Sequence, residues 1–212
     1  MSKGQRKGGQ FERETIAEIS KWFTYGARDD VFRRSATSGG RATIRKKKGK
    51  KTFGQYGDVA IADPIGQPLL DICTIEMKTG YKNQSLLETV DGKSVQTTYS
   101  KFILQCQEEQ QSAGVPFWVL IARRHGQKKM IYMPKKLWLL LQRNLRCYTL
   151  KDVIPKVRLR FELQNPKTKT KKGLVQAQIV DVYGTTLETF FETVDPSLFI
   201  KHKDAIITWS KT

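Results

Sequence analysis

The chain has 212 residues and a formal net charge of +18, from 38 Lys and Arg against 20 Asp and Glu, with 39% apolar residues. The apolar share, which includes 10 Phe, 7 Tyr and 4 Trp, excludes global disorder and is enough for one substantial core. The charge calls for a polyanionic partner, nucleic acid ahead of an anionic membrane surface. No apolar run nears the ~20 residues needed to span a bilayer, so no membrane association is expected. The basic N-terminus has no apolar signal core, and Cys73, Cys106 and Cys147 are widely spaced; a reducing, intracellular, cytoplasmic setting without a zinc framework is expected.

In chain order, residues 1–10 read as a basic, Gly-rich arm. A helix is expected from Gln10 to about Phe23, with Phe11, Ile16, Ile19, Trp22 and Phe23 on one face. Gly26 suits its exit. A strand at Val31 to Ser35 leads into residues 41–51, RATIRKKKGKK, with seven basic side chains in eleven. Strands are predicted at 57–62 and 69–78, joined by a turn at Asp63-Pro64-Ile65-Gly66-Gln67-Pro68. Residues 81–98 give no clear element. A helix follows from Lys101 to Ala113, ending at Gly114. Phe117 to Ala122 is a continuous apolar run of strand length, suited to a strand covered on both faces. A short strand at Met130 to Met133 precedes a Leu-rich helix opened by Pro134. Beyond it, strands at 157–163 and 174–182 flank a basic loop at 167–172, with a short helix at 187–194. This order predicts an α/β fold with a mixed sheet flanked by helices: a core at 11–143 and an α+β extension at 144–212 of unassigned role.

One constellation carries chemistry. Asp58 interrupts an apolar strand, and eighteen positions later comes Glu76-Met77-Lys78. Strand alternation turns Glu76 and Lys78 to one face and Ile75 and Met77 to the other. Charges beside apolar strands need a partner or a metal. Carboxylates suit Mg²⁺, which activates water and neutralises phosphate charge, and a lysine can orient that water or stabilise the pentavalent phosphate. A solvated surface hairpin with ordinary charges is the bland alternative. Glu12, Glu14 and Glu18 fit stabilisation of the helix macrodipole at its first turn, and Glu12 can also reach the metal. The basic residues Arg45, Lys46, Lys47, Lys48, Lys50 and Lys51 are expected to contact DNA backbone without reading sequence. Tyr56 beside them either stacks on an unpaired base or serves the hairpin.

The strings RKGGQFERE, FRRSATSGG, GDVAI and TIEMK resemble the archaeal-type Holliday-junction resolvases, a branch of the PD-(D/E)xK nuclease superfamily also seen in phages. The resemblance covers about residues 4–143. Its most specific parts are the N-terminal KGxxxERE string and the ordered D…ExK pair. It implies a restriction-endonuclease-like fold and a homodimer acting on branched DNA. It further implies metal ligands at Glu12, Asp58, Glu76 and the Met77 carbonyl, and a catalytic lysine at Lys78. Arg13, Arg34, Ser35 and Ser38 match positions near the scissile phosphate. The wider superfamily places a glutamine on the helix after the ExK strand; Gln105 is the choice here over Gln107, Gln110 and Gln111. Gly57 stands where the superfamily name has Pro, a common variation, while two departures bear on substrate: the loop at 39–56 is longer and more basic than in small archaeal members, and the segment beyond about residue 144 is not predicted by the family.

The expected function is therefore a Mg²⁺-dependent endonuclease cleaving four-way junctions, with Mn²⁺ able to substitute. A phage-encoded protein of this kind would work in its host's cytoplasm. The alternatives are a phage or mobile-element nuclease acting on duplex, nicked or flap DNA, and a non-catalytic DNA-binding module.

Overall fold

The computed structural model describes residues 3–35, 56–92, 96–144, 157–169 and 175–211. A five-stranded mixed sheet organises them. Its second strand is β4 (Phe117–Arg124), parallel to the edge strand β3 (Cys73–Gly80) on one side and antiparallel to β5 (Met130–Pro134) on the other. β7 (Val175–Thr186) pairs with β5, and β6 (Val157–Lys169) closes the far edge. A separate antiparallel ribbon joins β1 (Phe32–Arg34) to β2 (Val59–Ile61) beside β3.

The unbroken apolar run of β4 is explained by burial on both faces. Phe117, Val119 and Ile121 enter one core with Phe11, Ile16, Ile19 and Phe23 of helix α1 (Lys3–Phe23). Trp118, Leu120 and Ala122 enter a second with Tyr99, Phe102, Ile103 and Cys106 of the helix called α4 below (Thr98–Ala113). Helices thus cover both faces of the sheet, the α/β arrangement read from the sequence.

Helix α2 (Gln67–Ile72) replaces the first half of the strand expected at 69–78. The Pro and Gly residues before it start a helix rather than make a hairpin turn. The Asp63 carboxylate accepts the Ile65 N–H at 3.0 Å, Pro64 opens a 3-10 turn, and Pro68 sits in the first turn of α2. Leu69 and Ile72 then bury on a helical spacing. Helix α1 also departs from expectation, beginning at Lys3 within the segment read as an arm. Glu12, Glu14 and Glu18 consequently lie well inside it, and the macrodipole reading fails because its first turn holds no acid. Glu14 instead accepts from Gln10 at 2.8 Å, and Glu18 pairs with Lys129 at 2.7 Å.

The region without a predicted element contains a short helix, α3 (Glu88–Asp91). Helix α4 is capped by Thr97, whose hydroxyl accepts the Ser100 N–H at 3.2 Å, and it ends at left-handed Gly114. Helix α5 (Lys135–Leu139) follows Pro134, which serves as its N-cap, and continues as a π turn at Leu140–Asn144. Helix α6 (Leu187–Thr193) was expected; α7 (Ser197–Lys201) and α8 (Lys203–Ser210) were not.

β6 and β7 join the same sheet as β3–β5, and α6 and α7 pack on α1 through Trp22. Trp22 donates its indole N–H to the Val194 carbonyl at 2.9 Å and stacks on Phe191 with ring centroids 5.2 Å apart. β6, β7 and α6 therefore share a sheet and core with β3–β5 and α1.

Candidate active site

Asp58 is positioned by backbone before its side chain is considered. Gly57 has φ +72, and a Cβ there would stand 2.6 Å from the Ile75 carbonyl oxygen. Only glycine combines that dihedral with that approach to β3. Asp58 then donates its N–H to the Ile75 carbonyl at 2.8 Å, and its own carbonyl accepts from Ser35 N–H at 2.9 Å. Its carboxylate Oδ2 accepts the Met77 N–H at 2.7 Å. These bonds stitch β2 and the end of β1 to the free edge of β3. The substitution Gly57→Ala is expected to cost about 2 kcal/mol or more, from the strained dihedral and the clash together. Thermal melting of the variant checks this, and an unchanged midpoint would contradict it.

Glu76 and Lys78 leave β3 on the face shared with Leu120 and Ala122, their register partners on β4. Lys78 Nζ forms an ion pair with Glu76 Oε1, and Gln105 Nε2 of α4 donates to the same oxygen at 2.6 Å. Lys78 also lies over the Phe102 ring, 5.5 Å from its centroid. Gln105 is thus the glutamine brought to the cluster. Gln107 accepts from Gln178 at 2.8 Å and Gln110 donates to the Pro116 carbonyl at 2.8 Å. The surface-hairpin alternative fails, since Asp58 is 8% exposed and Glu76 4%.

Burial governs the electrostatics. Desolvation, followed by the Glu76 charge, pushes the Asp58 carboxyl up to about 8 against the opposing pull of Lys78. Desolvation also raises Glu76, although Lys78 opposes it, and the charges of Glu109 and Glu12 add to the rise. For Lys78, burial works against the charge, yet Glu76 and Asp58 outweigh it and its pKa lies above the ordinary lysine value. The lysine therefore stands as an ammonium at neutral pH.

At the rim, Arg34 Nε binds Glu12 Oε2 at 2.5 Å. The guanidinium ends of Arg34 and Arg13 both approach Gly9, where a Cβ would stand 3.4 and 3.5 Å from them. Ser35 is buried. Ile75 and Met77 turn their backbone groups toward the Asp58 edge, the side on which the Met77 carbonyl was expected to act. Among the described residues no three His, Cys, Asp or Glu side chains converge as a ready metal-binding group. Each carboxylate is instead engaged by a protein donor.

Sequence reasoning passed over Glu109, whose Oε2 accepts the Gly57 N–H at 3.2 Å. Its signal was present: it follows Gln105 by four positions and so shares that helix face. Ser38, Arg45, Lys46, Lys47, Lys48, Lys50 and Lys51 lie outside the described residues, as do 170–172 of the second basic loop. Half-buried Tyr56 lines a cavity of about 520 Å³ with Arg33, Val59 and Leu70. The thiols of Cys73 and Cys106 are free and buried, and burial pushes Cys73 up to about 12 and Cys106 well above the ordinary value.

With this geometry established, residues 3–201 match the model of the family described as phage putative PDDEXK endonuclease. The chain belongs to that family. No curated protein and no solved structure matches it. The fold of this PDDEXK nuclease is the restriction-endonuclease-like α/β fold, a mixed sheet flanked by helices. The family match crosses the 143/144 boundary, so β6, β7 and α6 fall within it. No helix of the nuclease, among the described residues, is long and apolar enough to cross a membrane.

Proposed function

We propose that the protein is a divalent-cation-dependent, structure-selective DNA endonuclease that cuts four-way junctions. The observation that carries the reading is the buried Asp58–Glu76–Lys78 cluster, braced by Gln105, in a chain of the PDDEXK family. Its donor set fits Mg²⁺, with Mn²⁺ as substitute: hard carboxylate oxygens, two of which burial and like charge drive toward protonation. A site short of positive charge is one that a cation would relieve. Asp58, Glu76, Glu12 and the Met77 carbonyl would hold the ion, with Glu12 released from Arg34. When bound, the ion lowers the pKa of a coordinated water and neutralises charge on the phosphate.

The remaining chemistry belongs to the side chains. Lys78, held as an ammonium by Glu76, faces the negative charge that grows on the phosphoryl oxygens. Gln105 fixes Glu76, so the carboxylate does not swing when the reaction begins. Arg34 and Arg13 at the rim suit a phosphate beside the cut, and the basic residues 45–51 suit DNA backbone. A junction needs paired nicks, and a homodimer would supply two such sites.

A second reading is a phage nuclease acting on duplex, nicked or flap DNA. It is favoured by the family match, which reaches residue 201, whereas the resolvase resemblance ends near 143. A comparison of labelled four-way junction, flap and plain duplex in Mg²⁺ separates the two. The junction reading expects kcat/KM at least about 10-fold higher on the junction, whereas one extra contact of 1.4 kcal/mol already gives that ratio. Equal rates on all three would install the second reading. Binding to any of these substrates should fall steeply with salt.

A further inference from the structure

We propose that Glu109 is a positioning residue that holds Asp58 in place from outside the D…ExK motif, a role that rests on the nuclease reading above. Gly57 is the residue immediately before Asp58. It has no side chain to anchor it, and it reaches α4 through its N–H, which Glu109 Oε2 accepts at 3.2 Å. Three other restraints on Asp58 come from β3 and from Ser35, the residue after β1. The Ile75 carbonyl takes its N–H, the Ser35 N–H takes its carbonyl, and the Met77 N–H takes its carboxylate. Glu109 adds the restraint from the helix layer.

The spacing gives this bond its meaning. Gln105 and Glu109 lie four apart on one face of α4. Gln105 grips the Glu76 side chain, and Glu109 grips the Tyr56–Gly57 peptide, one residue before Asp58. One helical face therefore ties both acidic members of the motif to a common rigid element. Gly57 adopts φ +72 and lies against the Ile75 carbonyl. Glycine is the residue with most backbone freedom to regain once a restraint is removed. Losing the Glu109 acceptor should free the Tyr56–Gly57 peptide and, through the Gly57 dihedrals, loosen Asp58, and a displacement of about 1 Å at a reacting centre can cost up to about 100-fold in rate.

A carboxylate at position 109 adds negative charge beside Glu76. Positioning needs only an acceptor oxygen, which a glutamine amide also supplies. The decisive comparison is therefore among full-length Glu109→Gln, Glu109→Ala and Glu109→Met, the last keeping the half-buried stem without an acceptor. Amide hydrogen exchange at Gly57 and Asp58 is measured by NMR without metal or DNA. Single-turnover cleavage and DNA affinity are measured in Mg²⁺. The expected result is about 10-fold faster exchange at these two amides in the Ala and Met variants, for one lost hydrogen bond. Cleavage should fall roughly 10- to 100-fold with DNA affinity within about twofold, and the Gln variant should restore both readouts. Unchanged exchange in the Ala or Met variant would overturn the proposal. So would a Gln variant as defective as these two, since the charge itself would then be required. If exchange behaves as expected but even wild-type protein cuts no DNA, the positioning role stands and the nuclease reading is the part that fails.

Discussion

Lys78→Ala is expected to lower the single-turnover cleavage rate by at least about 10³-fold, the scale on which a preorganised charge at a developing anion acts. DNA affinity should stay within about threefold, because phosphate contacts made elsewhere dominate binding. Glu76→Ala should do the same for a different reason: it removes an oxygen donor and leaves both Lys78 and Gln105 without their shared acceptor. Lys78→Ala also strands a buried carboxylate that desolvation already disfavours in its charged form. A loss of about 1–3 kcal/mol in stability should accompany it. Binding by electrophoretic shift and cleavage under excess enzyme separate the two effects. Normal cutting by either variant would remove the cluster from the chemistry.

Asp58→Asn should make the metal-free protein more stable while stopping cleavage. The Asp58 carboxyl titrates near 8 in the folded chain against an ordinary value of 3.8. The folded state therefore keeps a proton that the unfolded chain sheds. Its contribution to stability is complete below about pH 3.8 and is lost as pH rises through about 8. At pH 8 the wild-type protein without metal should be less stable than Asp58→Asn by on the order of 2–4 kcal/mol, since each pKa unit corresponds to about 1.4 kcal/mol. For a chain of this size that is roughly 5–15 °C in Tm. The amide oxygen of asparagine can still accept the Met77 N–H, so the variant keeps the local stitching. Melting curves at pH 5 and pH 8 in EDTA test the sign: the gap between variant and wild type should open as pH rises. Adding Mg²⁺ should stabilise wild type and leave the variant nearly unmoved. Such a gain in stability at the expense of activity is expected where a site stores unfavourable charge.

The elements legible in the sequence were those whose burial imposes a pattern. β4 could be read from its apolar run because it is covered on both faces. Helix α4 could be read up to Gly114 because a left-handed residue ends it there. The alternation that set Glu76 and Lys78 on one face survives as their ion pair. Elements whose pattern is short or shared were not legible. Leu69 and Leu70 fit a strand as well as a helix over so few residues, and Pro68 decided for the helix. The start of α1 was hidden by Gly8 and Gly9, poor helix formers, of which Gly9 admits the Arg34 and Arg13 guanidinium groups. Helices α7 and α8 span five and eight residues, too few for a periodicity to stand out.

The site divides in the same way. Residues close in sequence to the D…ExK string could be singled out, and Gln105 followed from the superfamily's helical glutamine. Glu109 required knowing that α4 crosses behind Gly57, a long-range contact between positions 52 residues apart. The family match adds that β6, β7 and α6 belong with the nuclease, which no local pattern between 144 and 201 disclosed.

The most direct test of metal-dependent cutting at this cluster is single-turnover cleavage of an end-labelled four-way junction by the full-length protein in Mg²⁺ and in EDTA, with Glu76→Ala alongside. The account predicts discrete products from wild-type protein in Mg²⁺ and none in EDTA or from the variant. Cutting that persists in EDTA, or that proceeds at the wild-type rate in Glu76→Ala, would contradict it.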